Sequence, residues 1–256
     1  PSDITSNSNL DINTFINQPN NILGIEYIKA LMRFNSKINP VPLKRLGAGY
    51  HSLDTRTKLA SATGIRTAMA NKDNISGLLP DNCLNIIKNH TTIEYNDFST
   101  VLGSKLLSMD TLDHIEGINQ DLSNRIANNK YNFTDIETFI PMLQSKNYTY
   151  SAISRALLHI ILDIKTDGLK EFISNNYVNY AMILGFNKNT GVLSEISKST
   201  KIPLVSKFAT FYKEADNNQR KMLDINLKAD NLYRMIYMNK TSETLPTEFQ
   251  RQIIIK

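Results

Sequence analysis

The sequence predicts a mainly α chain: a residual C-terminal piece of a Rossmann-like α/β domain, then a helical domain with a small α/β insert. Three observations carry this expectation. Residues 19–66 run in the order helix, strand, Gly-rich loop, helix, as the closing unit of an open parallel sheet does. Only one segment there reads as a strand, and nothing before Asn20 supplies the others that parallel pairing requires. From about Asp73 onward, apolar residues recur at helical spacing.

Residues 1–13 are polar and read as frayed. "NQPNNILGIEYIKALMRF" then predicts a helix capped by Asn20 or Asn21, with Ile22, Ile25, Ile28, Leu31 and Met32 on one face. Gly24 disfavours that helix, so it points to close packing or to a ligand near the helix start. "NPVPLKRLGAGYH" predicts a short strand to about Leu46 and a loop through Gly47 and Gly49. Further on, "DNCLNIIKNH", "NDFSTVLGSKLLSM", "EGINQDLSNRIANNK", "TDIETFIPMLQSK" and "TYSAISRALLHIILDIK" are each amphipathic, the fourth with a Thr134/Glu137 capping box. "VNYAMILGF", "VLSEISKST" and "IPLVSKF" read as strand, helix and strand, with the pairing open. A long helix from about Thr210 to Met238 precedes a tail.

Composition bounds the function. With 256 residues, 41% of them hydrophobic, the chain can bury a sizeable core. No run approaches the roughly 18 apolar residues of a membrane span, and "PSDITSNSNLDIN" lacks the pattern of a signal peptide. The expected compartment is the cytoplasm, with no membrane partner. The single cysteine, Cys83, excludes a disulfide within these residues and any Cys-rich metal site; it reads as a small buried side chain. Lys and Arg number 29 against 24 Asp and Glu, and the net charge of +5 permits an acidic partner such as RNA.

The densest local chemistry lies in "LASATGIR", residues 59–66. Ser61 is placed to cap the following helix, and Thr63 and Arg66 stand three residues apart on its first turn. Free N–H groups and the positive end of the helix dipole favour an anion there, and Gly64 removes a side chain that would obstruct it. An ordinary capped helix with a solvated arginine has the same sequence.

Taken together, "PNNILGIEYIKAL", "KRLGAGYH", "LASATGIR", "EGI" at 116–118, "KNYTYSAISRALLH" and "LGFNK" resemble the bacterial tRNA(Met) cytidine acetate ligases of the His-x-Gly-His nucleotidyltransferase class. The resemblance covers nearly the whole chain. It implies a two-step reaction. Acetate attacks the α-phosphate of ATP, pyrophosphate leaves, and acetyl-adenylate acetylates the exocyclic amine of the wobble cytidine of elongator tRNA(Met). It implies that Asn20 and Arg45 contact ATP, that Ser61, Thr63 and Arg66 lie along its phosphates, and that Mg2+ can accompany the nucleotide.

The family's His-x-Gly-His segment belongs upstream of Asn20, and none of the four histidines fits its spacing. His51 could line the site, and His159 reads as a core histidine. The chain opens on Pro1. The expectation is a C-terminal portion in which residues 1–72 are the remnant of the ATP-binding domain and residues 73–256 the tRNA-binding part. No catalytic residue is assigned, and this polypeptide alone is expected neither to form acetyl-adenylate nor to hold ATP tightly.

Lys146, Tyr148, Tyr150 and Arg155 combine phosphate-seeking cations with stacking aromatics, the pairing that RNA recognition uses. At Asn147 and Ala152 the sequence departs from the more basic family pattern, so Lys130, Arg125 or Lys165 could compensate. A solvated basic face is the plainer reading. Two other functions stay open: a nucleotidyltransferase on a small molecule, and a non-catalytic helical RNA-binding module.

Overall fold

Helices dominate, and their starts are set by local capping chemistry. The computed structural model describes residue 16 and residues 18–43, 60–175, 177–189 and 191–256. The chain divides into two units after His90, later than the 72/73 boundary expected from sequence.

In the first unit, α1 spans Pro19–Arg33, α2 Ala62–Ala70 and α3 Asp81–Lys88. The N-cap of α1 is Gln18 rather than Asn20 or Asn21, because Pro19 takes the first helical position, where its missing N–H costs nothing. No residue of α1 is buried; Ile22, Ile28 and Met32 on the expected apolar face are exposed. Residues 36–43 carry no strand. The rest of the expected strand to Leu46, and the Gly-rich loop after it, lie outside the described residues.

The second unit begins with a 3₁₀ turn at Tyr95–Phe98 and continues through α4 (Ser99–Ser108), α5 (Gln120–Asn129), α6 (Ile136–Leu143), α7 (Tyr150–Leu162) and α8 (Thr166–Ser174). Its core follows the 3.6-residue period. Leu102 and Leu106 of α4, Leu122 and Ile126 of α5, Phe139 and Leu143 of α6, and Ile153, Leu157 and Ile160 of α7 are almost fully buried in one cluster. Each such side chain contributes about 1.5–3 kcal/mol on leaving water.

The start of α6 corrects the expected capping box. Its cap is Asp135, whose carboxylate accepts from Thr138 N–H at 2.9 Å. Ile136 N–H donates to Ser99 Oγ at 3.1 Å, Glu137 N–H to Asn96 Oδ1 at 3.0 Å, and Phe139 N–H to the Asp135 carbonyl at 3.1 Å. The N–H groups of Ile136, Glu137 and Thr138, which a helix start leaves unpaired, are thus satisfied, two of them by the segment that opens α4. The Glu137 carboxylate accepts from Asn96 Nδ2 rather than closing a box with Thr134.

Beyond α8 come β1 (Ala181–Met182), β2 (Gly185–Phe186), α9 (Val192–Ser199), β3 (Leu204–Val205), α10 (Phe208–Glu214), α11 (Asn217–Thr241) and β4 (Ile254–Ile255). β1 pairs with β3 and β2 with β4, both parallel. The long helix expected from Thr210 is two helices. Asp216 and Gln219 form a capping box that starts α11, and Arg220 donates to the Tyr212 carbonyl at 2.5 Å, satisfying the end of α10.

Candidate functional site

Ser61 caps α2 as its sequence predicts. Its Oγ accepts the Gly64 N–H at 2.9 Å, and the residue is 1% exposed. Gly64 is buried too, as is Ala68 one turn further along α2. Thr63 is half-buried and Arg66 exposed, three residues apart on one face, and the Arg66 guanidinium has no partner among the described residues. The result is a helix start with an anchored cap and a free cation one turn in. That arrangement can receive an anion.

Asn20 is exposed at the second position of α1. Among the described residues, a Cβ at Gly24 would have nothing within 4 Å, so none of them packs closely enough to require glycine there. Gly24 instead lines an apolar groove of about 710 Å³ with Tyr27, Leu31, Phe34 and Val41. Arg45 and His51 lie outside the described residues. Cys83 is half-buried on α3, not fully buried as expected.

In the second unit, Lys146 and Asn147 occupy the exposed tip of a tight turn closed by an antiparallel bridge between Ser145 and Tyr148. The Tyr148 hydroxyl donates to Asn119 Oδ1 at 2.6 Å, and its ring packs against the core. Tyr148 therefore braces the turn, while Tyr150, 45% exposed at the first residue of α7, offers a free ring. Burial pushes the Tyr150 phenol up, and the Glu137 charge adds to that. Thr149 caps α7, accepting from Ala152 N–H at 3.3 Å. Arg155 is exposed, and among the described residues neither it nor Lys146 has an ion-pair partner.

Of the three compensating cations, Arg125 pairs with Asp121 at 3.2 Å, Lys130 sits 5.4 Å over the Tyr131 ring, and Lys165 lies 3.7 Å from Asp163. Two of the quoted segments meet. His159 Nδ1 lies 2.8 Å from the Glu116 carbonyl, where Gly117 adopts φ +82° in the left-handed region that glycine tolerates. His159 is thus a satisfied, half-buried histidine. Lys228 escaped sequence reading, since it looks like a solvated helix position until packing brings its Nζ to the Leu162 carbonyl at 2.7 Å. Among the described residues no group of three or more His, Cys, Asp or Glu could hold a metal ion, and no helix is long and apolar enough to cross a membrane.

These features are a capped helix start with an exposed cation in the first unit and a helical body in the second. The profile of the HIGH Nucleotidyl Transferase family matches residues 2–248, and the chain belongs to that family. Among its curated relatives, a tRNA(Met) cytidine acetate ligase of Thermoanaerobacter sp. (strain X514) is 31% identical over 242 residues, covering 91% of this chain and 59% of the relative. Another, of Caldanaerobacter subterraneus subsp. tengcongensis, is 34% identical over 228 residues, covering 86% of this chain and 56% of the relative. The chain thus spans less than two thirds of the length of these relatives.

Crystal structures of Thermotoga maritima TmcAL share the fold. The apo form has a TM-score of 0.82 at 23% identity, covering 94% of this chain and 61% of that one. The form bound with alpha-thio ATP has a TM-score of 0.81 at 23% identity, covering 94% and 60%.

Proposed function

We propose that this chain is the matched part of a tRNA-modifying ligase that activates acetate with ATP and acetylates the wobble cytidine of elongator tRNA(Met). The observation that carries the reading is the 31% identity, over 91% of this chain, to a tRNA(Met) cytidine acetate ligase. In the first step an acetate oxygen bonds to the α-phosphorus, the bond to the bridging oxygen breaks, and pyrophosphate departs with that electron pair. In the second the cytidine exocyclic amine attacks the acetyl carbon, AMP leaves, and the amine gives up a proton. A carboxylate is already nucleophilic, so the first step depends on positioning and on neutralising phosphate charge.

Residues 1–72 belong, in this reading, to the nucleotide-binding part. Ser61 fixes the helix corner, Thr63 and Arg66 face the phosphates, and Asn20 and Arg45 contact the rest of ATP. The Arg66 guanidinium, exposed and without a partner among the described residues, supports this role. Mg2+ would travel on the nucleotide's own phosphates, and no step is assigned to it. Residues 73–256 handle tRNA through Lys146, Tyr150 and Arg155, with Tyr148 as brace, in the cytoplasm where charged ATP and tRNA meet.

The test uses the full-length protein with ATP, radiolabelled acetate and elongator tRNA(Met). Label in the tRNA that requires ATP supports the reading. ATP cleavage that depends on a small molecule but not on acetate or tRNA would replace it with small-molecule nucleotidyl transfer. RNA binding without ATP chemistry would replace it with a binding module.

A further inference from the structure

We propose that the cavity between α8 and α11 receives an unpaired adenine of the RNA substrate, stacked among aromatic rings and read along its edge by Asn226. This rests on the tRNA reading above and adds a place where a base, not a phosphate, is held.

The walls are fixed by contacts outside the cavity. Phe172 of α8, Tyr177 and Tyr180 of the segment that follows, and Met222, Ile225 and Asn226 of α11 line about 430 Å³, inside the roughly 300–1,000 Å³ of small-molecule sites. Two lysines of α11 bracket these residues. Lys221 pairs with Glu171 of α8 at 2.7 and 2.9 Å, and Lys228 donates to the Leu162 carbonyl at the end of α7 at 2.7 Å. Met222, Ile225 and Asn226 fall between these two ties in sequence, so α11 is held to its neighbours on both sides of the cavity. Tyr180 is braced by Phe211 of α10, whose ring centroid lies 5.5 Å from its own.

Tyr177 stands where a tyrosine is unfavourable. Its φ of +61° is left-handed, and its N–H closes the end of α8 on the Phe172 carbonyl at 2.7 Å. Glycine or asparagine takes that backbone more readily, and Asn175 is only two residues away. The ring is 54% exposed, so burial does not account for a tyrosine there. A ring kept at the cavity wall does.

The lining selects the ligand. Among the described residues no charged side chain lines the cavity, so a phosphate or a carboxylate finds no counter-charge in it. Asn226 Nδ2 donates one hydrogen to Tyr180 Oη; its second hydrogen and its Oδ1 have no partner among the described residues. An aliphatic side chain or an acyl chain seated here would cover that donor and acceptor and leave them unsatisfied. A base instead stacks on the rings and meets the amide with its edge. One free donor beside one free acceptor matches adenine, which accepts at N7 and donates from N6.

The experiment measures, by fluorescence anisotropy at one salt concentration, binding of the full chain to labelled uridine hexanucleotides carrying one central adenine. The all-uridine strand, and a strand with 7-deazaadenine in place of adenine, are expected to bind about tenfold more weakly. Asn226→Leu is expected to erase that preference. Tyr177→Gly fits the left-handed backbone and so keeps the end of α8; it is expected to weaken binding of the adenine strand about tenfold. Arg66→Ala, in the nucleotide element, is expected to leave the preference unchanged, which separates this cavity from a site that holds adenine through ATP phosphates. Equal binding of all three strands, or an adenine preference that survives Asn226→Leu, would overturn the base pocket and leave the tRNA reading standing. Fluorescence of 1-anilinonaphthalene-8-sulfonate that is lost in Ile225→Asn and not displaced by the adenine strand would make the cavity an apolar docking groove, and would overturn the base pocket too. No binding of any strand, nor of elongator tRNA(Met), would overturn both.

Discussion

Tyr148 donates its hydroxyl hydrogen to Asn119 Oδ1 across 2.6 Å, and the same oxygen accepts the Leu122 N–H at 3.0 Å. One amide oxygen therefore ties the Lys146 turn to the start of α5. Tyr148→Phe should lower unfolding free energy by about 1 kcal/mol and barely change tRNA affinity. Tyr150→Ala should do the reverse, leaving stability within about 0.5 kcal/mol while weakening RNA binding about tenfold through lost stacking. Urea unfolding and tRNA titration of both variants, side by side, check the division of labour.

Ser61 and Arg66 should separate in the same way. Ser61→Ala removes a buried cap and should lower stability by about 1 kcal/mol. Arg66→Ala removes an exposed cation that has no partner among the described residues, and should leave stability within about 0.5 kcal/mol. In the full-length protein, however, Arg66→Ala should weaken ATP binding by about tenfold or more, the size of a lost charge-assisted hydrogen bond. Equal ATP affinity in the variant and the parent would remove Arg66 from the site.

Asp97 links the opening of the second unit to the end of α11. Lys240 Nζ reaches Asp97 Oδ2 at 2.8 Å and the Thr92 carbonyl at 3.1 Å. Burial pushes the Asp97 carboxyl up, but the Glu94 N–H and the Lys240 ammonium outweigh it and hold the group below its ordinary value. A depressed carboxyl contributes stability above its unfolded pKa and loses it as pH falls through the folded one. Denaturation midpoints from pH 7 down to about 3 should therefore fall more steeply in the parent than in Asp97→Asn.

Gly185 lies in β2 where the partner strand comes closest. A Cβ there would stand 2.7 Å from the Ile254 carbonyl oxygen, a backbone atom that cannot swing aside. Gly185→Ala should cost about 1–3 kcal/mol and release β4. Earlier proteolytic cleavage near the C-terminus, relative to the parent, is the expected readout.

Much of the helical body is legible from its periodicity, because Leu102 with Leu106 and Leu122 with Ile126 mark buried faces within single segments. The Ser61 cap is equally legible, since cap and helix are adjacent in sequence. The start of α6 is not, because two of its caps come from Asn96 and Ser99, which only folding brings near. Two-residue strands carry no alternation, so the pairing of Gly185 with Ile254 has no local signal. The break between Glu214 and Asn217 is hidden for a related reason: continuous apolar spacing reads as one helix until a cap such as Asp216 is recognised.

The most direct measurement of the central claim is ATP-dependent transfer of radiolabelled acetate to elongator tRNA(Met) by the full-length protein, followed by nucleoside analysis of the product. Label on the exocyclic amine of the wobble cytidine, present with ATP and absent without it, is the expected result. Intact tRNA recovered unlabelled while ATP and acetate are consumed, or with no ATP consumed at all, would contradict it.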